Sequence, residues 1–249
     1  MSGNAREPGR SSIDRVLALL DAFDGEDLTL ADLARGSGLP LTTTHRLLAA
    51  LERWGGVERD ADGRYRVGVR LWELGTRAAV PAGLRDRALP LMQELYEATR
   101  ENVQLAIRDG HDVLVVERLT GPRAVPTVTE VGGRLPLHAT GVGKVLLAAA
   151  PTDVLADVHR HGLARCTPYT VATPGRLATA IATTRDTGFG TVHQEMTLGT
   201  ASIAAPVSDG RGGLRAALGL VVHSHVDVSR YAAVVRNAAD EISRRICAG

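Results

Sequence analysis

The stretch of residues 28–67 constrains the fold of this chain most, because its order of helix caps, breakers and apolar residues predicts a helix-turn-helix followed by a β-hairpin. Thr29 and Asp32 form a short capping box for one helix, and a breaker-rich turn is predicted at 36–40. A second helix is predicted over Leu41–Trp54. Two short helices joined by a tight turn present the second one to the major groove of DNA.

The second predicted helix begins with polar side chains suited to DNA contact. Its three consecutive threonines are β-branched and favour helices poorly, so helix stability does not explain them. Hydroxyl groups bond phosphates and base edges, and an arginine pairs with guanine in a bidentate manner. The candidate DNA contacts on this helix are Thr42, Thr43, Thr44, His45 and Arg46.

The hairpin after that helix resembles the wing of a winged helix. Strands are predicted at 57–59 and 64–67, joined by a turn that ends in Asp62-Gly63. Arg59, Arg64 and Arg66 are therefore candidate contacts to the phosphate backbone of double-stranded DNA. The alternative is a protein-interaction module whose surface arginines are simply solvated.

Composition narrows the class of protein. The 249 residues suffice for two modest domains, and 44% of them are hydrophobic. The net charge of +1 is no global nucleic-acid signature, and 3% aromatic residues argue against stacking platforms for single strands. Two cysteines without metal spacing, and no predicted signal peptide or membrane span, favour a cytoplasmic protein without membrane contact.

Breakers and periodicity divide the chain into segments. Ser11 and Ser12 can cap a first helix with a stripe of apolar residues, namely Ile13, Val16, Leu17, Leu19 and Leu20. A proline and a glycine are predicted to break the connecting helix at 80–83. The expected segments are a flexible tail at 1–10, a winged helix-turn-helix domain at 11–70, a linker helix at 71–83 and a second domain at 84–249.

The second domain is predicted to be α+β with an antiparallel sheet, because strands grouped in meanders alternate with amphipathic helices. Helices are predicted at 84–99, 141–149, 153–161, 174–187 and 229–247. Strands are predicted at 103–108, 113–119, 124–131, 202–207 and 214–222.

Residues 133–148 are the best candidate for a ligand site in the second domain. A loop of small residues runs into a helix capped by Thr140, and the free N–H groups at a helix N-terminus attract carboxylate or phosphate. Gly141 and Gly143 are expected to let a ligand approach the backbone. The segment lacks the pattern of a Walker loop, and the alternative is a well-capped core helix.

Metal and catalytic sites are not predicted. His223 and His225 share a strand face and His193 lies near Glu195, but no second ligand cluster has a recognisable spacing. Ser202 has no nucleophile-elbow context. We therefore expect no cofactor, no metal and no enzymatic activity.

Several motifs, in this order and spacing, resemble the isocitrate-lyase-regulator (IclR) family of bacterial transcription factors over nearly the full chain. In the first domain they include Gly38-Leu39-Pro40, His45-Arg46-Leu47-Leu48 and Tyr65-Arg66-Val67-Gly68. In the second domain they include the run from Gly133 to Thr140, Gly143-Lys144, Gly188-Phe189-Gly190, Glu195 and Ala204-Ala205-Pro206-Val207.

The resemblance implies a winged helix-turn-helix, a linker helix used in dimerisation and a GAF-like effector-binding domain. It also implies homodimers, or pairs of dimers, whose affinity for operator DNA responds to a small organic or aromatic acid. The effector-binding residues implied in this sequence are Thr127, Leu135, Thr140, Gly141, Val142, Val192, Ser202, Gly219 and Val221.

Two departures from the family pattern change what we expect of the effector cavity and of the DNA contacts. Val192, Gly219 and Val221 stand where members that bind tiny hydrophilic acids carry polar groups, so a less polar and roomier cavity for a larger anion is expected. Leu41 replaces a commonly basic residue of the DNA helix. The rival functions are a DNA-binding assembly factor without a ligand and an enzyme fused to a DNA-binding module.

Overall fold

The computed structural model describes residues 10–24, 27–77, 83–122, 124–209 and 213–247. The chain separates into two compact units, Met1–Ala79 and Val80–Gly249. The predicted flexible tail, apart from Arg10, lies outside the described residues, and so does most of the predicted break at 80–83.

The N-terminal unit has the predicted helix-turn-helix and hairpin. Its helices are α1 (Ser12–Leu20), α2 (Leu30–Ser37), α3 (Leu41–Trp54) and α4 (Val69–Gly75), and its antiparallel strands are β1 (Val57–Arg59) and β2 (Tyr65–Val67). Thr29 caps α2 in a reciprocal capping box with Asp32, as predicted. The core is formed by residues from all three of the first helices and both strands, among them Leu19, Leu33, Leu48, Val57 and Tyr65.

One local prediction for this unit was wrong. The turn does not begin at residue 36, because the Ser37 hydroxyl donates to the Leu33 carbonyl and α2 continues to Ser37. The chain turns at Gly38, whose φ of 66° lies in the left-handed region that suits glycine. Within the apolar stripe of α1, Leu19 is fully buried, whereas Ile13 is 71% and Leu17 is 52% exposed.

The C-terminal unit is α+β, as predicted. Its helices are α5 (Leu84–Thr99), α6 (Gly141–Ala148), α7 (Thr152–His161), α8 (Pro174–Thr187) and α9 (Ala232–Cys247). Its strands are β3 (Asn102–Asp109), β4 (Asp112–Leu119), β5 (Arg134–Pro136), β6 (Gly190–His193), β7 (Thr200–Ser208) and β8 (Leu214–His223). They pair in the antiparallel order β5-β4-β3-β8-β7-β6.

Both faces of this sheet are covered, so most strand residues are buried. Helices α5 and α9 pack on one face, where Leu105, Ile203 and Leu218 are enclosed. Helices α6, α7 and α8 contribute to the core on the other face, together with Ala106 and Ala204. This second face positions the N-terminus of α6 against the middle of the sheet.

Three predictions for the C-terminal unit differ from the structure. Residues 124–131 form no strand, because the strand that pairs with the free edge of β4 is β5, further along the chain. The short strands β5 and β6 were missed, since runs of three or four residues give too little periodicity. The last helix starts at Ala232, after a 3₁₀ turn over Val228–Tyr231.

Candidate DNA-binding surface and ligand cavity

The outer face of α3 presents several of the predicted DNA contacts. Thr42, His45 and Arg46 are exposed and Thr43 is half-buried. Arg46 forms no hydrogen bond or ion pair with the part of the chain that the structure describes, so its guanidinium is available to a partner. The helix itself is held by Leu47, which packs into the core of the unit.

Thr44 does not belong to that face, which corrects its assignment as a DNA contact. Its side chain is fully buried, and its hydroxyl donates to the Pro40 carbonyl at 3.1 Å. The helical repeat explains the difference, since Thr44 lies one turn before the core residues Leu47 and Leu48. Thr44 therefore stabilises the start of α3 and cannot contact DNA from its present position.

The wing carries its arginines on the surface, but their surroundings differ. Two nitrogens of Arg66 bond Glu58 Oε2 at 3.0 and 2.8 Å, and these hydrogen bonds raise the pKa of Arg66 above its ordinary value. Arg59 lies over the ring of Tyr65, 5.3 Å from its centre. The Arg64 guanidinium donates a long hydrogen bond, of 3.4 Å, to the Asp27 carbonyl. Arg64 is thus freer to meet a phosphate than Arg66.

A buried cavity in the C-terminal unit brings together most of the predicted effector-binding residues. It lies between the first turn of α6, the sheet and the loops before β5 and β7. Its lining includes the predicted residues Thr127, Leu135, Thr140, Val192, Ser202 and Val221. It also includes Gln104, Thr129, Ala139, Met196, Thr197 and Thr200, which sequence reasoning missed.

Thr140 defines the end of the cavity at α6. Its hydroxyl accepts from the Gly143 N–H at 3.0 Å and donates to the Pro136 carbonyl at 3.2 Å. This cap leaves the N–H groups of Gly141 and Val142 without an acceptor inside the helix. The positive end of the helix dipole is therefore directed to this end of the cavity.

Three predicted residues are not among those that line the cavity: Gly141, Val142 and Gly219. A Cβ at Gly141 would lie 2.8 Å from Ser202 Oγ and 2.9 Å from the Gly190 carbonyl oxygen. A Cβ at Gly143 would lie 2.2 Å from the Leu137 carbonyl oxygen. The expectation that Gly141 and Gly143 open the backbone to a ligand was therefore wrong for the positions that their side chains would occupy, because protein atoms fill those positions.

The cavity is also smaller than expected. Its volume is about 30 Å³, close to the share of liquid volume that one water molecule takes. The space above Gly219 is filled by Val142 and Gln104, which explains why a glycine there adds no room. Threonine, serine and glutamine side chains line it together with apolar ones, and the Thr127 hydroxyl is buried without a hydrogen-bond partner. An organic acid can enter only if part of the wall moves.

A buried ion pair next to the cavity was also missed. Lys144 Nζ donates to Glu195 Oε1 at 2.5 Å and to the Thr191 carbonyl at 3.2 Å. Burial lowers the pKa of Lys144, and the hydrogen bond to Glu195 opposes that shift. The signal was available, because Lys144 is the one lysine of the sequence and interrupts an otherwise apolar helix. The pair ties α6 to the turn that carries Met196 into the cavity wall.

The histidines singled out in the sequence do not converge on a metal site. His223 and His225 stack on each other with ring centres 5.4 Å apart, and His193 Nε2 lies 3.1 Å from the Ser224 carbonyl. Among the described residues, no group of three or more histidine, cysteine or acidic side chains could hold a metal ion. In the same part of the chain, no helix has both the length and the apolar character needed to cross a membrane.

A larger groove, of about 550 Å³, lies along β6, against residues 224–228. Two of its polar side chains are already engaged, since His193 contacts Ser224 and Glu195 binds Lys144. We take the small cavity as the better candidate for a ligand because it is the less open of the two and contains the unpaired polar side chains of Thr127 and Gln104.

Comparison with known proteins places this geometry in a family. The HTH-type transcriptional regulator XynR of Escherichia coli is 32% identical over 221 residues, which cover 87% of this chain and 88% of XynR. The glycerol operon regulatory protein of Streptomyces coelicolor is 33% identical, with 96% of this chain and 97% of that protein covered. Both relatives are thus named as regulators, one of transcription and the other of an operon.

A solved structure is similar over nearly the whole chain. It is an IclR homologue from Microbacterium hydrocarbonoxydans in complex with 4-hydroxybenzoate, 33% identical, with a TM-score of 0.89 and coverage of 96% of this chain and 100% of that one. The model of the IclR helix-turn-helix domain matches residues 12–61, and the model of the bacterial transcriptional regulator IclR C-terminal domain matches residues 76–244. The chain therefore belongs to the IclR family of bacterial transcriptional regulators, with an N-terminal helix-turn-helix and a C-terminal effector domain.

Proposed function

We propose that the protein binds operator DNA as a homodimer and that a small carboxylic acid, bound in the C-terminal cavity, changes its affinity for that DNA. The observation that carries the proposal is the enclosed cavity at the N-terminus of α6, with the Thr127 hydroxyl buried and unpaired in its wall. A buried polar group without a partner is costly, so a ligand or water that pairs with it is stabilising.

The DNA-binding part of the proposal rests on the outer surface of α3 and the wing. The contacts we propose are Thr42, Thr43, His45 and Arg46 on the helix, and Arg59, Arg64 and Arg66 on the wing. Arg46 is placed to read a base edge in the major groove, and Arg64 to contact a phosphate. Thr44 is omitted because it is buried.

Exposed apolar side chains in the N-terminal unit support a dimer. Ile13 and Leu17 on α1, and Val69 and Trp72 on α4, are each more than half exposed, Trp72 by 68%. Large apolar groups at this exposure are typical of a protein interface. We propose that residues 11–70 bind DNA, that 71–83 link the domains and dimerise, and that 84–249 bind the effector.

The effector part rests on the cavity and on one relative. The described side chains of the cavity lining carry no charge, and the α6 N-terminus supplies the positive potential that a carboxylate needs. The relative complexed with 4-hydroxybenzoate supports a carboxylic acid as the class of ligand. Binding shifts the DNA-bound state only if the acid prefers one conformation of the protein over the other.

Replacing Arg46 by alanine is expected to weaken operator binding about tenfold or more, because a base contact contributes roughly 1–3 kcal/mol. Arg64→Ala should weaken binding to all sequences alike and lessen the dependence on salt. The measurement is a gel-shift titration on a site selected from random DNA with the wild-type protein. Arg160→Ala, an exposed arginine on α7, is the matched control.

Wild-type affinity in Arg46→Ala and Arg64→Ala would overturn the assignment of the DNA-binding surface. The selected site also tests the dimer. Two inverted half-sites support it, whereas a single half-site contradicts it.

The effector is tested by thermal denaturation with a panel of aliphatic and aromatic carboxylic acids. An acid present at about a hundred times its dissociation constant should add about 2.7 kcal/mol of stability and raise the melting temperature. The same acid should change the gel-shift affinity for the selected DNA. If no acid raises the melting temperature, the second domain serves assembly alone and the proposed response to an effector is wrong.

A further inference from the structure

Gln104 is a buried polar residue that nothing in the described part of the protein satisfies. It lies on β3 in the middle of the sheet, is 4% exposed and lines the cavity. Its side-chain amide has no hydrogen-bond partner within the part of the chain that the structure describes. An amide in such a place costs free energy unless something in the cavity pairs with it.

The sheet register explains how the amide comes to lie in the cavity. Gln104 pairs with Gly219 of the neighbouring strand β8. A Cβ at Gly219 would lie 3.3 Å from Gln104 Nε2 and 2.7 Å from Val142 Cγ1. The missing side chain of Gly219 therefore leaves the space in which Gln104 lies beside the first turn of α6.

The polar groups of the cavity are of two kinds. At one end, the capped N-terminus of α6 beside Thr140 suits a carboxylate. On the sheet and loop sides, Gln104 and Thr127 offer neutral groups that are free to donate and accept hydrogen bonds. The nearest lysine, Lys144, is engaged by Glu195 and is not part of the lining.

From this arrangement we infer that Gln104 is a specificity-determining residue, which selects carboxylic acids that carry a neutral hydroxyl group. The carboxylate lies at the α6 end, and the hydroxyl pairs with the Gln104 amide. A second carboxylate is disfavoured there, because no cation among the described lining residues would neutralise it. The inference rests on the proposed function, since it names the chemistry of the acid that the cavity takes.

The test compares acids that differ only in a hydroxyl group. Isothermal titration measures the dissociation constants of benzoate and its 2-, 3- and 4-hydroxy derivatives, and of propanoate and lactate. The proteins are the wild type, Gln104→Leu and the control Thr184→Val, which removes a buried hydroxyl from α8 outside the cavity.

We expect the wild type to bind at least one hydroxylated acid about tenfold or more tightly than its unhydroxylated match, because a buried amide left unpaired penalises the latter. Gln104→Leu should lose that preference and bind both acids of the pair within about threefold of each other. Thr184→Val should keep the preference of the wild type.

The outcomes separate the inference from the proposed function. If the wild type binds these acids with no preference for a hydroxyl, or if Gln104→Leu retains the preference, the inference is overturned and the proposed function stands. If the wild type binds none of them, the proposed carboxylate effector fails, and the role of Gln104 fails with it. The comparison within the wild type needs no variant to fold.

Discussion

Replacing Glu195 by alanine is expected to lower the free energy of unfolding of the C-terminal unit by about 3–5 kcal/mol, because it leaves a buried ammonium without its partner. The side chains of Lys144 and Glu195 are 4% and 9% exposed, and their charged atoms lie 2.5 Å apart. Glu195 Oε2 also accepts from the Val171 N–H at 3.3 Å. The alanine variant therefore loses the links from α6 and from residue 171 to the turn after β6.

Chemical denaturation of the full chain, followed by circular dichroism, measures this loss. The double variant Lys144→Met/Glu195→Leu should lose less stability than Glu195→Ala, because it leaves no buried charge unpaired. Glu241→Ala removes a carboxylate from exposed ion pairs with Arg244 and Arg245, and it should change stability little. A loss below about 1 kcal/mol in Glu195→Ala would mean that Lys144 and Glu195 do not depend on each other as a buried ion pair must.

Replacing Gly143 by alanine is expected to cause the second large loss of stability. This is so although alanine is more favourable than glycine in a helix by about 1 kcal/mol. The added Cβ would lie 2.2 Å from the Leu137 carbonyl oxygen and 2.5 Å from Thr140 Oγ1. A backbone oxygen cannot rotate away, so the first turn of α6 must move and its cap must be disturbed. We expect a loss of about 1–3 kcal/mol, the range for overpacked sites, together with weaker ligand binding.

The matched control for this variant is Gly175→Ala in α8. No atom lies within 4 Å of a Cβ built there, so alanine should leave stability unchanged or raise it slightly. Thermal denaturation of both variants gives the comparison. If Gly143→Ala is as stable as the wild type, the close approach between α6 and the preceding 3₁₀ turn, Leu137–Ala139, is not a tight constraint on the fold.

Much of the fold could be predicted from the sequence, because its signals are local. The capping box of Thr29 and Asp32, and the breaker at Gly38, define the ends of α2, and the bounds of α3, α5 and α8 follow apolar periodicity. The region 124–131 misled the prediction because its composition fits a strand while its pairing partner is already taken by β5. Strand pairing is a non-local property, so local propensity cannot decide it.

Some residues of the candidate sites could likewise be predicted from the sequence, and others could be assigned only from the structure. The resemblance to the IclR family implied that Thr140, Ser202 and Val192 share one site, and all three line the cavity in the structure. The sequence predicted Thr44 as a DNA contact on the exposed face of α3. Only the packing of α3 against the core of its unit shows that Thr44 is buried. The sequence also left Gln104 unnoticed, since a single glutamine in a strand has no distinguishing pattern.

By itself, therefore, the sequence determined what depends on neighbouring residues: the helix caps, the helical periods, the hairpin of the wing and the anion-attracting start of α6. The tertiary structure alone decided what depends on residues far apart in the chain. Gly219 makes room for Gln104 only because β8 pairs with β3, and Lys144 meets Glu195 only because α6 packs beside β6. The chemistry of the cavity arises from these distant pairings, since each side chain gains its role from the partner it finds or lacks.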